Sequence, residues 1–149
     1  MSKMTPISPL QLKAYAFTAI SVRVIPDGQS DNEPTLTHKI NFENDQASPN
    51  EWRLMIYINV SSAKIDKPFI YDIEVAVQGL VEVNSNFPKE KREHLAVVNG
   101  MGLLYSATRE MVVNLTSRSA HGPLNLPILN FVEIVGNSQD PKVKPTKGK

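Results

Sequence analysis

LLYSATREMVVNLTSRSAHGPLNLPILNF, residues 103–131, joins a helical pattern to an apolar return segment, and its reading decides the architecture. Leu104, Thr108, Met111, Val112 and Leu115 recur at three- and four-residue spacing, which places them on one side of a helix. Arg109, Glu110, Asn114 and Arg118 fall largely on the other side, so this helix covers something. The pattern stops across residues 119–123, where Gly122 and Pro123 end regular hydrogen bonding, and Pro127 keeps a second helix from starting at once. Leu124, Leu126, Ile128, Leu129 and Phe131 then make an extended run too apolar for a solvated loop. Residues 124–131 are therefore expected against a surface of the protein or of a partner.

Upstream of the helix the period changes from helical to alternating. Residues 12–25 read as a long strand, with Ala14, Ala16, Thr18, Ile20, Val22 and Val24 on one face and Tyr15, Phe17, Ala19, Ser21, Arg23 and Ile25 on the other. PDGQSDNEP, residues 26–34, is dense in turn formers and reads as an exposed, mobile loop. Leu36, His38, Ile40 and Phe42 alternate with polar residues as a half-buried strand. Trp52, Leu54, Ile56, Ile58 and Val60, then Phe69, Tyr71, Ile73, Val75 and Val77, form two strands joined by the turn at 64–68, hence hairpin neighbours.

The expected fold is α+β, an antiparallel sheet of about four strands with C-terminal helices packed on one face and a semi-apolar second face. Helix begins after Ser85 and Asn86, with Pro88 at its start and Glu90 early, where the helix dipole favours an acid. Gly100 and Gly102 predict a break near 99–102, the alternative being close backbone contact there.

Composition narrows the function. A chain of 149 residues, 41% hydrophobic and 21% charged, suits one domain, assigned to residues 1–135 and followed by a basic, disordered tail at 136–149. A net charge of +1 with no basic stripe argues against nucleic acid. The absence of cysteine removes disulfides and thiolate metal sites. No stretch is long enough to insert in a membrane and no leader precedes the first strand, so a cytoplasmic location is expected.

Catalytic machinery is sparse. His38, His94 and His121 sit in three separate elements without ligand-like spacing, so neither a metal nor another cofactor is expected. Asp72 and Glu74 share a strand face and are the one candidate acid/base pair, as in a small hydrolase, although a solvated strand face explains them as well. No nucleophile accompanies them, and Gly100-Met101-Gly102 is not a phosphate loop. The chain reads as a binding protein and not as an enzyme.

Arg109 and Glu110 in the helix, Ser117 and Arg118 at its end, and Pro123, Leu124, Asn125, Leu126, Asn130 and Phe131 beyond it resemble the ARE…SR…PxLNLxPxNF run of the SecB family of protein-export chaperones. Phe69-Ile70-Tyr71-Asp72-Ile73 resembles that family's apolar strand with an embedded acid, and the order of elements agrees. Two departures stand out. Tyr105-Ser106-Ala107 replaces an aromatic-proline-aromatic run, and the family's second long helix and acidic tail give way to residues 132–135, too short for a stable helix, and a lysine-containing end. The opposite charge of that end argues against a motor contact through an acidic tail.

The resemblance implies a chaperone that holds unfolded polypeptide clients in extended form for export, without cofactor, as a dimer or dimer of dimers. By position, Leu124, Leu126 and Phe131 take the loop role in client binding, with core packing as the alternative. Asp72 takes the place of an acid that contacts SecA, the translocase motor, and Glu74 extends that patch. Tyr15, Phe17, Met55 and Tyr57 are weaker candidates for lining the client groove. Met101, Leu104 and Met111 are assigned to helix core or oligomer interface. Val97, Val98 and Val113 lie off the main stripe and call for a second burying surface. A dedicated chaperone for a single partner, such as those attached to toxin and antitoxin pairs, is the alternative on the same fold.

Overall fold

The computed structural model describes residues 2–139. Strands β1 (Leu10–Val24), β2 (Pro34–Asp45), β3 (Ser48–Ser62) and β4 (Tyr71–Val83) form one antiparallel sheet in the order β1-β4-β3-β2. Helices α1 (Lys89–His94) and α2 (Gly100–Thr116) follow, with a π-helical turn, Leu95–Asn99, between them, and α3 (Phe131–Gln139) ends the described chain. The expected α+β fold, a four-stranded sheet with C-terminal helices on one face, is the observed one.

The core lies between the central strands and the helices. Trp52, Leu54, Ile56, Ile58 and Val60 of β3 and Tyr71, Ile73, Val75, Val77, Val81 and Val83 of β4 are all buried, as strict alternation on two central strands requires. Across the register Ile56 faces Val77 and Ile58 faces Val75, so the apolar sets share one side. From α2, Met101, Leu104, Tyr105, Thr108, Val112 and Thr116 close over them.

Three local expectations are corrected. Strand β1 does not alternate throughout, because its register shifts between Leu12 and Ala14 and again between Phe17 and Ala19. Each bulge inserts a residue and flips the faces that follow it. Tyr15, Phe17, Ile20, Val22 and Val24 therefore all lie on the helix side, opposite Gly79, Val77, Val75, Ile73 and Tyr71, while Ala14, Ala16, Ala19, Ser21 and Arg23 lie on the outer face.

The helix is not broken near 99–102. His94, Leu95, Asn99 and Gly100 all keep right-handed helical dihedrals, so one rod runs from Lys89 to Thr116 through the π turn. The glycine serves packing instead, since a Cβ on Gly100 would overlap Leu54 Cδ1. The π turn lets Ala96, Val97 and Val98 be buried in succession, and α3 packs against it. Val97 and Val98 are thus covered within the protomer and call for no second copy.

The third correction concerns the C-terminal end. Residues 132–135 belong to a nine-residue helix, which crosses the expected domain end at 135. Its first turn is anchored by Asn130, whose carbonyl accepts from the Ile134 N–H and whose Oδ1 accepts from the Glu133 N–H. The expected disordered tail lies, from residue 140 on, outside the described residues. The loop at 26–34 is largely exposed, as expected, with Gly28 buried, and it is bonded where it crosses the sheet end: Gln29 N–H and Asn32 Nδ2 both donate to the Pro68 carbonyl.

Candidate functional site

Gly122, with φ +83°, turns the chain out of α2 in a conformation that side-chain-bearing residues seldom adopt. The segment that follows runs back along α2 and is held by side chains. Tyr71 Oη donates to the Gly122 carbonyl at 2.5 Å, and the Leu124 N–H donates to Thr116 Oγ1 at 2.9 Å. Arg109 Nε donates to the Leu126 carbonyl at 2.9 Å, and Tyr105 Oη to the Pro127 carbonyl at 2.6 Å. The Tyr105 ring meets Phe131 edge-to-face at 5.6 Å. Burial pushes the Tyr105 hydroxyl up to about 12, against the opposing pull of the Arg109 charge.

This suspension gives the segment two unlike sides. Leu126 is 3% exposed and faces the core, while Ile128 is 83% and Val132 61% exposed. A second apolar strip follows the free edge of β1. There Tyr15 is 50% exposed, Ile20 and Val24 are also open, and Phe17, half-buried, meets Tyr15 edge-to-face. The helices approach β1 but leave these side chains partly open.

The outer face is different in kind. Two cross-strand rungs, Ala16-Gln78-Met55-Asn41 and Ala14-Leu80-Arg53-Glu43, span the sheet side by side and floor an open trough of about 440 Å³. Charges on this face are paired across strands: Arg53 with Glu43 at 3.3 Å and Lys13 with Glu82 at 3.5 Å toward the trough, and Arg23 with Asp72 at 2.6 Å at the other end of the β1–β4 ladder. The Lys39 ammonium lies 5.7 Å from the centre of the Tyr57 ring.

The structure divides the residues singled out from the sequence. Tyr15 and Phe17 lie on the helix side of the sheet and Met55 and Tyr57 on the outer face, so these four do not line a single groove. Leu124 is half-buried and remains reachable. Leu126 and Phe131 are enclosed by the protomer and offer a client no surface in this conformation, because the side-chain bonds from α2 turn them inward. Met101 and Leu104 are fully buried in the protomer core and present no surface in this conformation, whereas Met111 is half-buried and Leu103 exposed. Asp72 is engaged by Arg23, and Glu74 is exposed beside it.

Sequence reasoning missed Ile20, Val24, Ile128 and Val132 as open apolar residues of the two strips. The β1 pair was hidden by the bulges, and Ile128 by an apolar run that looked uniform. It also missed Tyr105 and Arg109 as holders of the return segment. Their four-residue spacing, which puts both on one helix side, was the available signal.

Among the described residues no group of three or more His, Cys, Asp or Glu is placed to hold a metal, and His38, His94 and His121 stay in separate elements. No helix among them is long and apolar enough to cross a membrane. No curated protein was found to match the chain. Among solved structures it is similar to a SecB-like chaperone of Mycobacterium tuberculosis, in complex with a ChAD peptide from the HigA1 antitoxin. The identity is 19%, covering 80% of this chain and 90% of that one, with a TM-score of 0.62. A protein of unknown function from Streptococcus agalactiae matches at 11% identity over 79% of this chain and 96% of the other, with a TM-score of 0.48. The family described as Preprotein translocase subunit SecB matches residues 9–141, a span that takes in every strand and helix described above. The chain belongs to the SecB family of chaperones, which act by binding and not by catalysis.

Proposed function

We propose that this protein is a holdase that binds unfolded or non-native polypeptide in extended form, in the cytoplasm and in the service of protein export. The observation that carries the reading is the return segment, fixed to the fold along one side and apolar toward solvent on the other at Ile128, with Val132 open in the first turn of α3 that follows. Open apolar side chains gathered in one place are costly unless they meet a ligand. Leu124 extends that surface, the β1 strip of Tyr15 and Phe17 offers a second one, and the trough at Met55, with Tyr57 near it, a third. Binding needs no cofactor, because apolar burial and backbone hydrogen bonds to an extended chain supply the affinity. The protein acts as a homo-oligomer, a dimer or dimer of dimers, with Leu103 and Met111 of α2 available for the contact.

Asp72 and Glu74 are the candidate contact for the SecA motor. Asp72 already carries a cationic partner in Arg23, so a docking protein must displace that guanidinium or bind the pair as it stands. This pairing favours a second reading, a dedicated chaperone for one partner, in keeping with the antitoxin peptide held by the mycobacterial neighbour.

The test is refolding of a chemically unfolded, slow-folding precursor in the presence of the protein, with Ile128→Asp and Met55→Asp as variants. Near-stoichiometric arrest, relieved by Ile128→Asp, supports a general holdase using the return segment; relief by Met55→Asp alone moves the site to the outer face. Unimpeded refolding together with recovery of one partner favours the dedicated chaperone.

A further inference from the structure

Residues 123–129 make no backbone-to-backbone hydrogen bond among the described residues. Two prolines, Pro123 and Pro127, remove two of their donors. What holds the segment is the buried Leu126, the half-buried Leu124 and Leu129 against the core, and side-chain bonds to Thr116, Arg109 and Tyr105, all three on α2. Its ends are fixed independently, by Tyr71 on the Gly122 carbonyl and by the buried Phe131 that opens α3. A stretch of chain anchored at both ends and attached between them only through side chains can part from the helix without breaking any strand ladder or helical turn. Segments with few backbone bonds and few buried groups open locally at a small fraction of the free energy of global unfolding.

We propose that residues 123–130 form a releasable strap. It lifts from α2 while sheet and helices stay folded, and the slot vacated by Leu126 becomes a further apolar contact for a client chain. Tyr105 and Arg109 are the positioning residues that set how often this happens. Each holds one of two consecutive carbonyls, and neither bond is needed to form the helix that carries it. The client part of this inference rests on the holdase reading; the strap itself does not.

The cysteine-free sequence makes the test direct. Leu126→Cys puts a thiol on the buried side of the strap, and Val77→Cys puts one in the fully buried sheet core. Reaction of each with a soluble disulfide reagent in native buffer reads how often its site opens. The Leu126→Cys thiol is expected to react at least about a hundredfold faster than the Val77→Cys thiol, since only the latter needs global unfolding. Tyr105→Phe keeps the ring against Phe131 and removes only the hydroxyl, and Arg109→Met keeps the stem and removes the donor. Each is expected to speed the Leu126→Cys reaction about fivefold, the effect of one lost hydrogen bond, and to speed the Val77→Cys reaction by no more than that, because the bond is lost in the unfolded chain as well, so that the roughly hundredfold gap between the two sites persists.

Equal rates at the two sites, or no response at Leu126→Cys to either substitution, overturn the strap. For the client part, an unfolded precursor added in excess is expected to slow the Leu126→Cys reaction by occupying the slot. A precursor that binds and leaves that rate unchanged overturns the client role. A precursor that does not bind at all overturns the holdase reading, while the strap stands on the thiol rates measured without it.

Discussion

Thr116→Val separates the packing of the return segment from its hydrogen bonding. Thr116 is fully buried; its hydroxyl donates to the Val112 carbonyl at 2.6 Å and accepts the Leu124 N–H at 2.9 Å. Valine preserves the shape and removes the hydroxyl. The Val112 carbonyl loses a side-chain donor of little consequence, but the Leu124 N–H, part-buried at the start of the strap, loses its partner. Leaving such a donor unsatisfied costs about 2 kcal/mol. With a urea m-value of about 2 kcal/mol/M for a domain of this size, the unfolding midpoint should fall by about 1 M. Trp52, the one tryptophan and itself buried, reports the transition by fluorescence. Thr116→Ser keeps the hydroxyl and loses a buried methyl, at a cost of about 1 kcal/mol. The two variants should therefore part company in hydrogen exchange: Leu124 amide protection is lost in valine and kept in serine. A valine variant with the native midpoint and a protected Leu124 amide would refute the assignment of this hydroxyl as the anchor.

Further consequences are open to measurement. The Tyr105 hydroxyl, raised to about 12 chiefly by burial, favours its protonated form in the folded state. Its contribution is complete below pH 10 and is lost as pH rises from 10 toward 12, because the unfolded chain ionises first. Tyr105→Phe should flatten that part of the pH-stability curve, and a wild-type curve of the same slope would count against a buried hydroxyl. Gly100→Ala improves helix propensity by about 1 kcal/mol yet drives a methyl into Leu54, at a cost of about 2–3 kcal/mol. Thermal unfolding should show Tm lower by roughly 4 °C; a rise would mean that the rod is not pressed against β3. Arg23→Gln, at an exposed ion pair, should change stability by less than about 0.5 kcal/mol in urea titration, and a larger loss would give the outer-face pairs a structural weight not assigned to them here.

The readable parts of the fold were those governed by a single period. Strands β3 and β4 alternate without interruption and sit centrally, so their buried sets could be taken from the sequence residue by residue. Where the backbone departs from its period, pattern reading carries the wrong phase forward. The two bulges of β1 moved Ile20, Val22 and Val24 to the side of Tyr15 and Phe17, and the π turn buried Val97 and Val98 that a uniform helix leaves off its stripe. Helix α3 was hidden by Gly136 and by the absence of the family's longer pattern; packing against the π turn supplies the stability that its short length lacks. In the candidate site the apolar character of residues 124–131 was legible, but which residues face inward depends on carbonyls held by Tyr105 and Arg109. Side-chain bonds to backbone oxygen leave no apolar signature, so Leu126 and Ile128 look alike in sequence and differ in the fold.

The strand order also sets a sequence of events during synthesis. β2, β3 and β4 are linked by short connections and can pair in turn as they appear, whereas β1, made first, has its only partner in β4. Leu10 must wait for Val83 and Val24 for Tyr71, so closing this ladder spans most of the sheet's chain and is the slow, entropically expensive step. Until it closes, Tyr15, Phe17, Ile20 and Val24 emerge as an unpaired apolar strand, the kind of segment that aggregates. A member of a chaperone family thus passes, on its own way to the native state, through a condition that chaperones exist to manage.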